Sequence, residues 1–499
     1  MDPSSPVIVG VGQVANRSDD VVDALDLLEV AARAALGDAG GSLRGRLTSI
    51  VTQPISIADE DSAALLADRL DRPGAEVGIG RINGAMPQKL VAAACDAVRT
   101  GRHDAVLVAG ALADASAVRL ARSRPGAEDA TWTGQMRGGD GGDRRLPPPY
   151  QVANAEVQAQ SLLPAISYAL LESVFAAEAG RTPAEQRAWL GEVLAPFTRA
   201  AARWPDVAWF PHERSAAEIA EVRADNRLVG EPYTKVMNAF PTVDQAAAVV
   251  VTTVGTARDA GVPADRMVFP WSAAACDEAD LPSRRRRLAR SGALDAVAER
   301  ALGAAGIGAD DLGIIDIYSC FPSAVQYATA ALGIDPLDAR GLSVTGGLPF
   351  FGGPGGNYGT HAIACLVERC REQPDQLAWA SGLGGLVTSH AAGVYGGTPP
   401  PRGFRHVDCS DVEASLREDS VEIALDRRGR ATVEAMTVFH DRDGTQSAAP
   451  VIVSWPDGSR SGAQPADPEL ASELVGRSLV GSEVRIAPGD EGTPRYELL

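Results

Sequence analysis

The sequence predicts an α/β protein of two similar halves, with a helical insertion in the first half and a small all-β unit after the second. Three observations carry that prediction. Short apolar strands alternate with amphipathic helical stretches from residue 7 to residue 111, and again from 267 to 395. Each half closes on a similar strand, Ala246-Ala247-Ala248-Val249 and Ala391-Ala392-Gly393-Val394, which hints at an internal duplication. After a proline-rich segment near residue 400, the pattern changes to short strands separated by turn signals.

Taken in order, Val7 to Val11 is a β-branched run. Asp19 and Asp20 then precede Val21, Val22, Leu25, Leu28 and Ala32, which are apolar at helical spacing. Ser49 to Ile55, Val77 to Ile82 and Asp104 to Ala111 read as strands, and Ser62 to Leu70 and Gln88 to Arg99 as helices. Strands apolar on both faces imply a parallel sheet covered on each side. Residues 124–150 are rich in Gly, Pro and charge, and helices follow at about 155–178, 183–203 and 215–228, so an insertion spans about 124–235. A strand returns at Ala246 to Thr253. The second half has strands at Met267 to Ala275, Gly313 to Tyr318, Leu377 to Ser381 and Ala391 to Tyr395, with helices at about 290–305, 322–333 and 358–372. The domains expected are 1–255, 256–398, a linker at 399–405 and a β unit at 406–499. In that unit Val421 to Leu425, Ala431 to Phe439, Val451 to Trp455 and Val484 to Ile486 read as strands of a small barrel.

The chain has 499 residues, enough to bury a large core without disulfide or metal staples. Its 46 basic and 65 acidic residues give a net charge of −19, which argues against nucleic acid as a partner and against anionic membranes. The basic run Arg284 to Arg287 reads as a solvated loop. The first residues lack the basic start and apolar run of a signal peptide, and no apolar stretch reaches the roughly 20 residues of a membrane span. Six dispersed cysteines fit reduced thiols, so a cytoplasmic protein is expected.

Several motifs bear on chemistry. Gly10-Val11-Gly12-Gln13-Val14-Ala15 matches a dinucleotide fingerprint, but no helix opens directly on the turn, and Asp19 and Asp20 would repel a pyrophosphate there. No nucleophile elbow or P-loop is present. The loop from Gly346 to Asn357 is glycine-dense and leads into a helix, which suits either a tight packed turn or contact with a thioester or phosphate oxygen. His361 and Cys365 share a helix face while Cys370 points away, so no metal site is expected on that helix.

The order and wording of these elements resemble the thiolase superfamily over about residues 6–397. The anchors are Val7 to Gly12, Asp244-Gln245-Ala246-Ala247-Ala248, Tyr318-Ser319-Cys320-Phe321, the run Thr345 to Gly355, and Gly384 to Tyr395. The resemblance implies two βαβαβαββ halves in a five-layered αβαβα sandwich, with a helical loop insertion. It also implies altered chemistry. A thiolase needs an activated cysteine at a helix N-terminus, and that position falls near Gly84. The family's Gly-His-Pro loop reads Gly352-Gly353-Pro354, the slot of its second cysteine reads Leu383-Gly384-Gly385, and its water-holding motif begins at Tyr318. This pattern, with the extra β unit, resembles the type 1 thiolase-like proteins, often labelled acetyl-CoA acetyltransferases by homology. Their added domain resembles the OB-like modules that accompany acyl-CoA chemistry.

Three functions are open on this reading. The chain binds a CoA thioester in lipid metabolism without thiolase turnover; or it is a divergent acyltransferase or retro-aldolase-type lyase using Tyr318, His390 or His361; or it is a structural partner acting through its β domain. Gly346, Gly347, Gly352, Gly355, Asn357, Gly384 and Gly385 are candidate ligand contacts. CoA or acyl-CoA is the expected ligand, and no cofactor is required. Monomer and homodimer both remain open.

Overall fold

The computed structural model describes residues 2–55, 59, 61–123, 164–279, 281–424, 426–489 and 493–499. The first half forms a sheet of β1 (Pro6–Ala15), β2 (Leu47–Thr52), β3 (Glu76–Ile79), β4 (Ala105–Ala113) and β5 (Asp244–Thr253), in the order β1-β5-β4-β2-β3. The sheet is mixed, not parallel as expected. β2 runs parallel to β3 and β4, whereas β5 is antiparallel to both β4 and β1. The cause lies in the insertion, which leaves and returns at one end of the sheet. The Asp114 amide donates to the Val243 carbonyl, so β5 starts where β4 stops and must run back.

The second half places β6 (Phe269–Asp277), β7 (Leu312–Asp316), β8 (Leu377–Gly384) and β9 (Ser389–Gly396) in the order β6-β9-β8-β7. β6, β7, β8 and β9 hold the places of β1, β2, β4 and β5, so the duplication read from the two closing strands is a duplication of topology. β10 (Arg405–Val407) adds to the free edge of β6 in parallel, so the segment after residue 398 stays attached to this sheet.

The helices of the first half are α1 (Ala24–Asp38), α2 (Ser62–Arg69), α3 (Met86–Arg99) and α4 (Asp114–Ser123). The insertion carries α5 (Pro164–Glu178), α6 (Pro183–Ala202) and α7 (Ala216–Ala220). The second half adds α8 (Val254–Asp259), α9 (Gly292–Ala305), α10 (Pro322–Leu332), α11 (Gly347–Phe350) and α12 (Tyr358–Glu372), and α13 (Ser410–Glu418) follows. α1 and α2 cover the first sheet and α9 the second, with α10 packed beside α9. α3 and α12 lie in the middle, touching each other and strands of both sheets. The result is a layered αβαβα sandwich, as the resemblance implied.

Local differences from the sequence reading have local causes. α1 starts at Ala24 because the Asp23 side chain caps it, accepting from the Leu25 amide. Gly10 and Gly12 serve this helix, since a Cβ at either would overlap the carbonyl oxygens of Ala35 and Ala31. The fingerprint-like motif is therefore a helix–strand contact. The predicted helix at 155–178 is described from Pro164, with 124–163 outside the described residues. The predicted helix at 215–228 stops after Ala220. There the Asn226 side-chain amide donates to the carbonyls of Ile219 and Glu221, replacing the backbone N–H groups that would continue the helix.

The C-terminal unit contains a closed barrel, β11-β14-β15-β17-β16, from β11 (Gly429–Met436), β14 (Val451–Ser454), β15 (Arg460–Pro465), β16 (Glu483–Ala487) and β17 (Arg495–Leu498). A small ribbon, β12 (Phe439–His440) with β13 (Gln446–Ala448), stands beside it. Of the strand expected over Val421 to Leu425, the described residues show a bridge from Ile423 to Arg460, and Leu425 lies outside them. The barrel has its own core of Val433, Val451, Val453, Val484, Ile486 and Tyr496 among others. It docks on the insertion through Met436, whose amide donates to Ser173 Oγ, and through Thr437 Oγ1 to the Glu231 carbonyl. On the second half it is held by Arg460, 5% exposed, which donates to the carbonyls of Ser283, Arg285 and Arg286 and pairs with Glu434.

Asp244, at the start of β5, is fully buried and accepts from the Ser116 amide and hydroxyl, Asn16 Nδ2 and Arg119 Nη1. Burial, and then the charge of Asp244, push the neighbouring Asp114 carboxyl up to about 6. Its unfolded value is near 4, so the native state binds more protons between those values and loses stability as pH rises through that window. Asp114→Asn is therefore expected to be more stable than the parent at pH 7 by about 1–2 kcal/mol, with the difference vanishing below roughly pH 4. Urea unfolding at both pH values checks this. Arg460→Ala should lose about 2–4 kcal/mol in the same assay, because it strands buried carbonyls and Glu434. A loss under about 0.5 kcal/mol would mean that apolar contacts alone seat the barrel.

Candidate functional site

The site assembles where the N-terminal end of α3 meets the end of β8. Strand β7 ends at Asp316, whose buried carboxylate accepts from the Val344 amide at 2.9 Å, the Thr345 amide at 3.1 Å and the Thr345 hydroxyl at 3.0 Å. Burial pushes this carboxyl up to about 6 against the opposing pull of those bonds. The anchored Thr345 hydroxyl lies 2.5 Å from the Tyr358 hydroxyl at the start of α12. The Tyr358 ring meets Tyr318 edge to face at 5.3 Å. The Tyr318 amide donates to Ser381 Oγ on β8 at 3.0 Å. Tyr318 is thereby fixed between β8 and α12.

Its hydroxyl points at Gly84. A Cβ at Gly84 would lie 2.5 Å from the Tyr318 hydroxyl and would overlap the Leu383 carbonyl oxygen. Such a Cβ is closer to both than real side-chain contacts come. The space that a residue-84 side chain would enter is filled by the phenol. On β8, the positions facing α3 are Gly382, whose Cβ would lie 2.8 Å from the Gly84 carbonyl oxygen, and Gly384, whose Cβ would overlap Asn83 Oδ1. Leu383 pairs in register with His390 and projects to the opposite face by strand alternation. Of Leu383, which stands in the slot of the family's second cysteine, the carbonyl oxygen is the atom nearest Gly84, and Gly382 is the β8 residue that faces it.

The Gly353 amide donates to the Phe240 carbonyl at 2.9 Å, and a Cβ there would lie 3.3 Å from Leu348. Packing demands several of the loop glycines. Gly346, at φ 109°, faces the backbone of Ala201 at the end of α6, and Gly352, at φ 108°, faces the Gln245 side chain. Gly347 faces Ser319 Oγ, and Gly385 faces Thr388 Oγ1. Gly355 has only Leu112 within reach, at 4.0 Å. Asn357 Nδ2 donates to the Gly110 carbonyl at 2.6 Å. A group of buried polar atoms near these glycines has no hydrogen-bond partner among the described residues: both side-chain polar atoms of Gln53, Asn357 Oδ1, Ser319 Oγ and Gln245 Oε1. Buried atoms of this kind are costly unless something satisfies them.

The two candidate histidines do not join Tyr318. His361 Nδ1 lies 2.8 Å from Gln13 Oε1, and its ring meets Phe351 edge to face. His390 sits on the outer face of β9, with Nε2 3.1 Å from Ser291 Oγ and 3.0 Å from the Val387 carbonyl. Burial lowers both imidazoles to about 3, so both are neutral and weakly basic at pH 7. The thiols are buried as well. Cys320 is pushed up to about 12 by burial, and Cys95 and Cys365 are raised further. Neutral, buried thiols are poor nucleophiles. Among the described residues no three His, Cys, Asp or Glu side chains gather as a metal site.

Sequence reasoning missed Tyr168 and Val387. Tyr168, on α5, stacks on Phe321 with ring centroids 4.4 Å apart and donates to the Gly385 carbonyl at 3.3 Å. Only the insertion's path brings it there; its sequence signal is that of any helical aromatic. Val387 holds φ 63°, strained for a β-branched residue, and its carbonyl receives both Arg285 and His390.

Comparison with known proteins follows the same lines. Residues 411–491 match the family model for the additional C-terminal domain of thiolase-like protein type 1. A crystal structure of a monomeric SCP2-thiolase-like protein type 1 from Mycobacterium smegmatis is 29% identical, covers 100% of both chains and superposes with a TM-score of 0.83. The dimeric peroxisomal thiolase of Saccharomyces cerevisiae is 15% identical over 79% of this chain and 98% of its own, with a TM-score of 0.60. An Ltp2–ChsH2(DUF35) aldolase is 19% identical over the same shares, with a TM-score of 0.61. At those identities the last two show the fold alone. No curated protein matches the chain. Two halves with the fold of thiolases are thus followed by a segment, residues 411–491, that matches the additional C-terminal domain of the type 1 thiolase-like proteins.

Proposed function

We propose that the chain binds a CoA thioester at the junction of α3 and β8, in lipid metabolism, and does not run the acyl-cysteine reaction of thiolases. One observation carries this reading: the Tyr318 hydroxyl fills the space that a nucleophile's side chain at Gly84 would need. The buried, unpartnered polar atoms of Gln53, Asn357 and Ser319 support it, since a thioester carbonyl and a pantetheine amide offer the acceptor and donor groups that would satisfy them. The depressed basicity of His361 and His390 supports the loss of base catalysis. The relative from Mycobacterium smegmatis is described as monomeric, and we extend that state to this chain.

A second reading is a carbon–carbon lyase or acyl transferase in which the Tyr318 phenol moves a proton. Its support is the position of that hydroxyl beside the N-terminal end of α3. A protein of similar fold is an aldolase. The docking of the barrel through Arg460 onto loop 283–286 engages the C-terminal domain within its own chain, which weakens the reading as a partner subunit.

Calorimetric titration with acetyl-CoA, a long-chain acyl-CoA and a steroidal acyl-CoA tests the first reading. Binding of one class near micromolar Kd, about −8 kcal/mol, is expected; no heat at millimolar ligand overturns it. Tyr318→Phe should keep that affinity within about twofold under both readings. The lyase reading adds that turnover of a β-hydroxyacyl-CoA is lost in this variant; unchanged turnover would remove Tyr318 from the chemistry. Gly84→Cys should form no acyl-enzyme with acetyl-CoA by intact-mass measurement, and should lose about 1–3 kcal/mol of stability through overpacking. Stoichiometric acylation would show that the phenol does not block the slot.

A further inference from the structure

Of the basic run Arg284–Arg287, expected to be a solvated loop, Arg286 and Arg287 are exposed but Arg285 is buried. Arg285 is 6% exposed, and its guanidinium lies in the interior over the Tyr327 ring, 5.5 Å from the centroid. Its Nη2 serves two acceptors, Glu278 Oε1 at 2.8 Å and the Val387 carbonyl. Glu278 is itself fixed by the Ser291 hydroxyl at 2.6 Å. Arg460 of the barrel holds the loop backbone, donating to the carbonyls of Ser283 and Arg286 at 2.9 and 3.1 Å. The guanidinium is therefore anchored from behind where it meets Val387.

Val387 needs such an anchor. It sits in the turn between β8 and β9 at φ 63°, where a β-branched side chain crowds the backbone. A conformation of this kind persists where surrounding contacts over-determine it. Here they converge on two successive carbonyls. Val387 accepts from Arg285 and lies 3.0 Å from His390 Nε2, and Thr388 accepts from the Glu278 amide at 2.9 Å. Arg285 supplies the charged donor. The same turn borders the candidate site. The Gly385 carbonyl accepts from the Tyr168 hydroxyl at 3.3 Å, and the Tyr168 ring stacks on Phe321. Just before the turn, Gly384 and the Leu383 carbonyl meet the N-terminal end of α3.

We propose that Arg285 is a positioning residue for that site. By clamping the Val387 carbonyl it keeps the β8–β9 turn in its strained form, and the turn keeps Tyr168 and the end of β8 in place for the ligand. Without the clamp, Val387 relaxes to negative φ and the Gly385 carbonyl leaves Tyr168. This role rests on the CoA-thioester reading of the junction between α3 and β8.

Three substitutions in the full-length protein test it. Arg285→Lys keeps a charge beside Glu278 and shortens the reach to Val387. Val387→Gly removes the strain that the clamp opposes, because glycine adopts positive φ freely, whereas Val387→Ala shortens the side chain but keeps a Cβ. Hydrogen exchange without ligand, read by mass spectrometry over residues 384–390, follows the turn. Arg285→Lys should exchange there about tenfold faster than the parent, with α1 unchanged. Adding Val387→Gly should return the rate to within about twofold of the parent, and adding Val387→Ala should not. Calorimetry with the tightest-binding of the three acyl-CoA esters titrated above follows the site. Arg285→Lys should weaken it about tenfold, and the variant with both Arg285→Lys and Val387→Gly should bind within about twofold of Val387→Gly alone. Unchanged exchange in Arg285→Lys, or equal exchange with glycine and alanine at 387, overturns the proposal. So does a loosened turn with ester affinity within about twofold of the parent, the result of a purely structural tie. If the parent binds none of the three esters, the CoA reading fails. Fast exchange rescued by glycine then still upholds Arg285 as the residue that positions the turn, and unchanged exchange overturns it.

Discussion

The centre of this molecule depends on how closely the N-terminal end of α3 approaches β8. Backbone meets backbone there, and a side chain at Gly84, Gly382 or Gly384 would collide with the other side. Gly359, at the start of α12, adds a third surface, with Pro87 at 3.0 Å from where its Cβ would lie. This contact brings the two sheets to the spacing at which α3 and α12 fill the middle layer. It also leaves no room for a nucleophile. The close packing of the fold and the absence of space for a side chain at Gly84 follow from one steric fact, with the Tyr318 phenol occupying what space remains.

Around that contact, ionisable groups are used for structure. Asp244 gathers Asn16, Ser116 and Arg119 at the start of β5, where the insertion leaves and re-enters the sheet. Asp316 ties the end of β7 to the glycine-rich loop. Glu172, raised by burial, accepts from Tyr233, Gln186 and Gln326 and so joins α5 to α6 and α10. Each is a buried carboxylate whose cost is offset by several donors. Their removal would unseat a loop or helix, which makes structural roles hard to separate from chemical ones by activity alone.

The C-terminal barrel belongs to the same mechanics. Arg460 grips the carbonyls of loop 283–286 from one side, and Arg285 in that loop holds the Val387 carbonyl on the other. Val387 sits in a strained conformation next to Gly385, which receives Tyr168 from the insertion. A path of direct contacts thus runs from the added domain to the edge of the Tyr318 site. It gives the extra domain a physical reason to be present beyond its own fold.

The sequence by itself determined most of the elements and marked the positions from which the proposed chemistry is argued. Apolar periodicity places strands and helices wherever one face is buried against a sheet, and Gly84, Gly353 and Tyr318 stand where thiolase motifs need other residues. Duplication was legible in two short strands because each lies at the buried centre of its sheet, where only small apolar residues fit. Tertiary structure decided the rest. Strand direction in β5 depends on where the insertion returns, and which residue of β8 faces Gly84 depends on pleat register. Tyr168, Val387 and Arg285 acquire their roles through partners 100 or more residues away. His361 and His390 are completely buried, which depends on packing from several segments. Local sequence encodes propensity and face; long-range contacts set distance, desolvation and charge, and a site is made of those.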